Sequence, residues 1–305
     1  MRFETPHPIP YQGSKRRLAP AILSHIPKTG YTRLIEPFAG SAALTLAAAT
    51  RNVFSNYLIA DILQPLVGIW QQVIDDPATL AREYGLLWQR EREQPIHAYY
   101  LIRAEFNSDR NPAKLLYLLA RCVKNAVRFN PTGDFNQSAD KRRTGTRPEI
   151  MEREISTAHR VLAGKTIARC ADYMDLFDQA TAGDFFYLDP PYQGTSEGRD
   201  TRYIKGVGRA ELIGALDLLN RKRIPFILSY DGFCGGHEYG EPLPEDVAHR
   251  ILLDVGRSSQ ATLNGRADNT VESLYVSPVL ANNVRFSRML RLEEFAQQAR
   301  LFQLR

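Results

Sequence analysis

The sequence predicts an α/β protein with a doubly wound, mostly parallel sheet, interrupted by an inserted and mainly helical region. Two observations predict the sheet. Short apolar runs alternate with stretches of helical periodicity from residue 34 to 74, and again beyond residue 165, and such alternation builds a parallel sheet covered by helices on both faces. Several of these runs stop at an acid, at Gly or at Pro, as strands do where a ligand crevice opens at their carboxyl ends. A third observation predicts the insertion: from about Asp75 to Leu162 the alternation lapses, and an irregular basic stretch runs from Asn130 to Pro148.

Taken in order, Leu34-Ile35 ends a short strand at Glu36-Pro37-Phe38-Ala39-Gly40-Ser41-Ala42, and Ala43 to Ala49 is rich in good helix formers. Asn56 to Ala60 reads as a second strand that stops at Asp61, followed by helical spacing through Leu66, Ile69, Trp70 and Val73. Together these form the first βαβ unit. The alternation resumes with strands at Thr166 to Ala171 and Phe185 to Leu188, a helix from Arg209 to Arg221, and strands at Pro225 to Ser229, Arg250 to Val255 and Glu272 to Ser277. The expected division is therefore residues 1–74 and 163–305 in the sheet domain, with 75–162 inserted as helices and a hairpin or loop.

With 305 residues, a large core is within reach, and 44% hydrophobic with 24% charged content is ordinary for a soluble globular chain. The net charge of +5 permits nucleic-acid binding without requiring it. Part of it is concentrated at Lys15-Arg16-Arg17, Lys141-Arg142-Arg143 and Arg221-Lys222-Arg223, each equally readable as a solvated face. Cys122, Cys170 and Cys234 have no metal-ligand spacing, so a reduced cytoplasmic setting without a metal is expected. No apolar stretch approaches a membrane span, and the first residues lack the apolar core of a signal peptide.

Asp189-Pro190-Pro191-Tyr192 follows the apolar run Phe185 to Leu188. Two prolines cannot donate to a ladder, so this strand must end with carbonyls free beside an acid and an aromatic ring. Such a group suits a planar base with an exocyclic amine: one N–H for the Asp189 carboxylate, one for a backbone carbonyl, and Tyr192 stacked on the ring. A proline loop with a solvated acid is the plainer alternative. Phe38-Ala39-Gly40-Ser41-Ala42 carries one glycine, not the three of a dinucleotide fingerprint, which disfavours a nicotinamide dehydrogenase. Glu36 faces a site where an amine or cation fits better than a phosphate. Asp61 stands where an acid accepts ribose hydroxyls, or alternatively caps the next helix. An adenosine ligand with a positively charged tail satisfies both acids.

With these segments in order, the chain resembles the Dam-like family, the D12 or alpha-group S-adenosylmethionine-dependent DNA adenine-N6 methyltransferases. Tyr11-Gln12-Gly13-Ser14-Lys15 is similar to its N-terminal motif, Glu36 to Ser41 to its cofactor loop, and Ile59-Ala60-Asp61 to its second acidic strand end. Asn125, Arg128, Phe129, Asn130, Gly133, Phe135 and Asn136 resemble its DNA-contacting hairpin. Asp172-Tyr173 resembles the pair flanking the cofactor adenine, and Gly183 to Tyr192 the catalytic segment. Leu228-Ser229-Tyr230-Asp231, and Arg266 with Val271-Glu272-Ser273-Leu274-Tyr275, resemble its late strands, so the similarity spans residues 8–278.

The resemblance implies a Rossmann-like methyltransferase fold, a target-recognition region at 75–162 and S-adenosylmethionine as methyl donor, with no metal. It implies donor contacts from Tyr11, Lys15, Glu36, Phe38, Gly40, Ser41, Asp61, Asp172, Tyr173 and Asp189. Asp189, Pro190, Pro191 and Tyr192 become catalytic, acting on an adenine flipped out of duplex DNA. Lys124, Asn125, Arg128, Asn130, Asn136, Lys141, Arg142 and Arg143 become DNA contacts, Arg128 by base edges and the 141–143 cluster by phosphates. It also implies a monomer acting in the cytoplasm, as an orphan or beside a separate restriction endonuclease. Two departures stand out: Ala42 replaces a frequent glycine, and Ala139 to Arg143 replaces an aromatic followed by a basic residue. The same fold acting on cytosine N4, or retained as a catalytically silent DNA-binding module, are the competing readings.

Overall fold

The computed structural model describes residues 4–93, 96–191, 207–234, 237–239, 241–257 and 269–282. After a 3-10 turn at Lys15–Arg17 come α1 (Ala19–Ser24), β1 (Arg33–Glu36), α2 (Ala43–Thr50), β2 (Asn56–Asp61) and α3 (Gln64–Asp75). The inserted stretch supplies α4 (Pro77–Glu93), α5 (His97–Asp109), α6 (Pro112–Arg121) and α7 (Pro148–Leu162). There follow β3 (Thr166–Cys170), α8 (Tyr173–Asp178), β4 (Asp184–Leu188), α9 (Arg209–Arg221), β5 (Phe226–Cys234), β6 (His237–Tyr239), β7 (His249–Arg257), β8 (Asn269–Val276) and α10 (Pro278–Ala281).

The strands form one sheet in the order β3-β2-β1-β4-β5-β8-β7, with β6 paired to β5 off this path. From β3 to β5 every pairing is parallel, and β8 runs antiparallel to both of its neighbours. Because both faces of a parallel sheet are covered, its strands are apolar at consecutive positions. Phe185 and Tyr187 of β4 point into one core, with Leu34, Tyr57, Ile59 and Ile227. Phe186 and Leu188 point into the other, with Ile35, Leu58, Ala60, Phe226 and Leu228, against α8 and α9. At the amino ends of the strands, Arg33 donates to both carboxylate oxygens of Asp184, at 2.7 and 2.8 Å, locking β1 to β4.

The inserted helices have no separate core. Leu115, Leu116, Leu118 and Leu119 of α6, Tyr99, Ile102 and Phe106 of α5, and Met151, Ile155 and Leu162 of α7 all join the same buried cluster as β1, α2 and α3. Asn111 starts α6 by accepting the Lys114 N–H at 3.1 Å, with Pro112 at the first helical position, where its missing N–H costs nothing.

The late strands depart from expectation. β5 runs past Ser229 to Cys234, because β8 pairs with it beyond the parallel sheet through an irregularity between Ser229 and Gly232, where Asp231 takes φ +56°. β8 accordingly begins at Asn269, three residues before the expected Glu272, and the short β6 was not anticipated.

Candidate active site

The strand order reverses between β1 and β4, and a cavity of about 490 Å³ opens at the carboxyl ends of β2, β1 and β4. That is where open α/β sheets bind ligands. All the donor-contact candidates line it: Tyr11, Lys15, Glu36, Phe38, Gly40, Ser41, Asp61, Asp172, Tyr173 and Asp189. So do Pro190, Pro191 and Lys124, whereas Tyr192 and Arg266 lie outside the described residues.

The turn after β1 is built by close approach. Gly40 has φ +49°, and a Cβ there would stand 3.0 Å from the Tyr11 ring, so only glycine lets Tyr11 lie against the turn. The Gly40 N–H donates to Asp61 Oδ2 at 3.1 Å, while its carbonyl accepts from Trp70 Nε1 at 2.9 Å. Asp61 Oδ1 accepts the Leu63 N–H at 3.0 Å, so this acid shapes both flanking turns. Burial pushes its pKa up, and these backbone N–H groups pull it back. Ala42, the residue that departs from the family, adopts the left-handed conformation at φ 45°, ψ 40°, which a glycine adopts without strain.

Glu36 is 3% exposed and accepts the Thr45 N–H at 2.7 Å; burial pushes its pKa up to about 7. Across the cavity, the rings of Phe38 and Tyr173 lie 5.1 Å apart, and Tyr173 Oη donates to Glu211 Oε1 at 2.9 Å. Asp172 accepts the Met174 N–H at 2.9 Å and caps α8. Asp189 has its pKa raised to about 6 by burial, an effect that the nearby Lys15 ammonium opposes and Glu272 reinforces. Lys15 Nζ lies 3.5 Å from Asp189 Oδ1 and 2.9 Å from Glu272 Oε2. Ser14 Oγ accepts from Ser41 Oγ at 2.8 Å, and the Gln12 N–H donates to the Asn125 carbonyl at 3.0 Å. The segment Tyr11 to Lys15 thus touches the β1 turn, the acid after β4 and the inserted region at once.

The donor set is chemically consistent: carboxylates of Glu36, Asp61, Asp172 and Asp189 with two aromatic rings suit an aromatic nucleoside bearing a cationic tail. Among the described residues no cluster of His, Cys, Asp and Glu could hold a metal ion, and no helix is long and apolar enough to cross a membrane. The family model for D12 class N6 adenine-specific DNA methyltransferases matches residues 11–245, from the first residue of that segment to beyond β5. The chain belongs to this family. It is similar to the retron Ec67 DNA adenine methylase of Escherichia coli, 28% identical over 226 residues, covering 72% of this chain and 75% of that protein. It is also similar to the type II methyltransferase M.MjaIII of Methanocaldococcus jannaschii, 25% identical over 199 residues, or 60% of this chain and 68% of the relative. The modification methylase StsI of Streptococcus sanguinis is 26% identical over 243 residues, which cover 73% of this chain but 35% of StsI. The chain is accordingly a DNA adenine methyltransferase, and membership of the family implies use of S-adenosylmethionine.

In this methyltransferase the candidate DNA contacts lie in the loop from Cys122 to Arg147, between α6 and α7, whose regular structure is a 3-10 turn at Val123–Asn125 and the isolated bridges Cys122–Ala139 and Phe129–Phe135. Side chains from the end of α5 and from Arg110 just after it also hold the loop. Asn107 exchanges two hydrogen bonds with the Phe135 backbone, and Arg110 donates to the Gly133 carbonyl at 2.8 Å and Asp134 at 3.1 Å. Phe106, Phe129 and Phe135 pack edge to face beneath it.

The loop separates the predicted contacts into two groups. Asn130 Oδ1 accepts from the Asp134 N–H and from Thr132 Oγ1, both at 2.7 Å, and Asn125 Nδ2 donates to the Leu119 carbonyl at 2.8 Å, so these two shape the loop. Arg143 is tied to Asp140 at 2.8 Å. Lys124, Lys141 and Arg142 are exposed. Arg128 Nε and Asn136 Oδ1 are buried with no hydrogen-bond partner among the described residues, a cost that a bound partner can relieve. Glu272, Glu211, Trp70 and Tyr187 take part in the site although the sequence did not single them out. Their only signal was an acid or large ring within or beside an apolar segment.

Proposed function

We propose that the cavity binds S-adenosylmethionine across Glu36, Asp61 and Tyr173, and that Asp189 and Pro190 receive the amine of an adenine flipped out of duplex DNA. The observation that carries this reading is the convergence of Asp189 and Pro190 with the donor-face acids and rings in one cavity. The donor, when bound, supplies an electrophilic methyl group on a sulfonium. Phe38 and Tyr173, packed against each other at 5.1 Å between centroids, form one aromatic wall for the nucleoside base, Asp61 accepts hydroxyl hydrogen bonds through its remaining lone pairs, and Glu36 balances positive charge. Its high pKa is consistent with a buried acid that lacks a cation in the free protein.

The adenine amine is a weak nucleophile because its lone pair is delocalised into the ring. Asp189, mostly ionised at neutral pH, accepts one N–H, and the Pro190 carbonyl accepts the other. The nitrogen then pyramidalises with its lone pair aimed away from both acceptors, toward the donor side of the cavity. As the N–C bond forms, the methyl–sulfur bond would break with its electron pair left on a neutral thioether, and the amine proton, now acidic, passes through the Asp189 carboxylate to water. Tyr192 retains the stacking role expected from the sequence. Extrusion costs a few kcal/mol, which contacts from the loop must offset.

The reading extends to residues 75–162 as the target-recognition region, with Arg128 and Asn136 as base readers and Lys124, Lys141 and Arg142 on phosphates. Their support is the two unpartnered buried polar groups and the continuity of Lys124 with the cavity wall. The enzyme is read as a cytoplasmic monomer, any restriction endonuclease being a separate protein.

Tritiated methyl incorporation into duplex DNA, with the modified nucleoside identified by mass spectrometry, tests the assignment. Asp189→Ala should abolish incorporation while duplex binding persists, and Tyr192→Ala should slow it and weaken the extrusion signal of 2-aminopurine. Wild-type incorporation by Asp189→Ala would remove Asp189 from the chemistry.

A further inference from the structure

Lys15 is 8% exposed and faces two acids from different parts of the fold. Glu272 comes from β8, the antiparallel strand, and Asp189 from the end of β4, with β5 between them. The shorter contact, 2.9 Å, goes to Glu272 and is a good hydrogen bond; the 3.5 Å contact to Asp189 lies beyond the usual range. The two acids share one buried ammonium, and Glu272 takes the shorter contact. The second acid is left charged and is held by the same ammonium only at the longer distance.

We propose that Glu272 is a positioning residue: it draws the Lys15 ammonium away from Asp189, so that the Asp189 carboxylate stays open as an acceptor for the adenine amine. The proposal rests on the assignment of Asp189 given above. Without the Glu272 charge, the ammonium would close on Asp189 and occupy the lone pairs that the amine needs. The ionisable groups around Asp189 act consistently. Lys15, from the N-terminal segment, favours its charged form, whereas Glu272 from β8 disfavours it. Glu36, at the end of β1, also senses Asp189, and Tyr187 of β4 lies close to Lys15. Glu272 therefore has two effects of one sign: its own charge keeps the affinity of Asp189 for protons high, and its hold on Lys15 prevents that affinity from falling.

The test is a carbon-detected NMR titration of Asp189 in the donor-free enzyme, the signal being assigned with Asp189→Asn. Glu272→Gln should lower the Asp189 midpoint by about one pH unit, and Lys15→Met should raise it by at least as much, the size expected for a charge at this range. Glu272→Asp, which keeps the charge, should restore the midpoint toward wild type. In turnover, Glu272→Gln should shift the acid limb of kcat to lower pH and lower its plateau on the order of tenfold. A residue that only braces β8 would lower activity with the limb in place. An Asp189 midpoint that stays put or rises in Glu272→Gln overturns the proposal. If that variant fails to fold, Glu272→Ser takes its place with the same expected fall, and an Asp189 midpoint there at or above the wild-type value overturns the proposal equally. Failure of the Asp189 assignment is seen separately, as methyl transfer by Asp189→Ala.

Discussion

Arg121 ends α6 with its side chain 6% exposed, and Glu91 of α4, 7% exposed, is its carboxylate partner. The same guanidinium donates to the Asp140 carbonyl, so a single buried ion pair joins two inserted helices to the base of the basic turn at 140–143. Replacing Glu91 by Leu leaves a buried guanidinium without a counter-charge, a change that costs about 3–5 kcal/mol. With an unfolding entropy of about 2.1 cal/mol/K per residue, a chain of 305 residues loses about 5–8 °C in Tm. Scanning calorimetry measures this, and duplex binding should weaken in parallel because the Asp140 turn loses its anchor. The double replacement Glu91→Leu with Arg121→Leu removes the stranded charge and should recover most of the loss, since apolar groups of similar size often match a buried pair. A Tm for Glu91→Leu within about 2 °C of wild type would refute the reasoning, because a buried guanidinium cannot lose its counter-ion so cheaply.

Neutralising Lys141 and Arg142 together should reduce the slope of log affinity against log salt by about 2, whereas Arg143→Ala should change it by less than one unit, being already paired with Asp140; an unchanged slope in the double variant would make those two residues a solvated face. For Glu36, burial raises the folded pKa from 4.5 to about 7, so its contribution to stability is full below about 4.5 and is lost as pH rises through 7. A cationic donor reverses that preference, so binding near pH 7 should release a proton, read as a buffer-dependent calorimetric enthalpy that Glu36→Gln abolishes; equal enthalpies in all buffers would count against it.

Much of the candidate donor site was legible in the sequence, because Glu36, Asp61 and Asp189 each sit at the end of a short apolar run, and strand ends are readable from Gly, Pro and acids. Gly40, Asp61 and Asp189 follow from local chemistry alone. Lys15 with Glu272 does not: the partners are 257 residues apart and meet because β8 pairs with β5 beyond the parallel sheet. The loop from Cys122 to Arg147 was legible as irregular and basic, but not in its construction. Asn107 and Arg110 lie at the end of α5 and just after it, where nothing local marks them as hydrogen-bond donors to a loop more than twenty residues away. For the same reason the sequence does not show that the amides of Asn125 and Asn130 are engaged in folding the loop.

The single cluster that joins α4 to α7 with one face of the sheet bears on how this enzyme can acquire a new target. A region with its own core can be exchanged between relatives as a cassette, because its borders are solvated. Here any cut between α3 and α4, or between α7 and β3, exposes Leu, Ile and Phe side chains of a cluster shared with the sheet domain. On the proposed reading of the DNA contacts, the segment open to exchange is the loop from Cys122 to Arg147, where the scaffold touches the chain through a few side-chain hydrogen bonds and a small group of aromatic rings. Grafting that loop, together with Asn107 and Arg110 as its moorings, is the smallest exchange that leaves the interior whole.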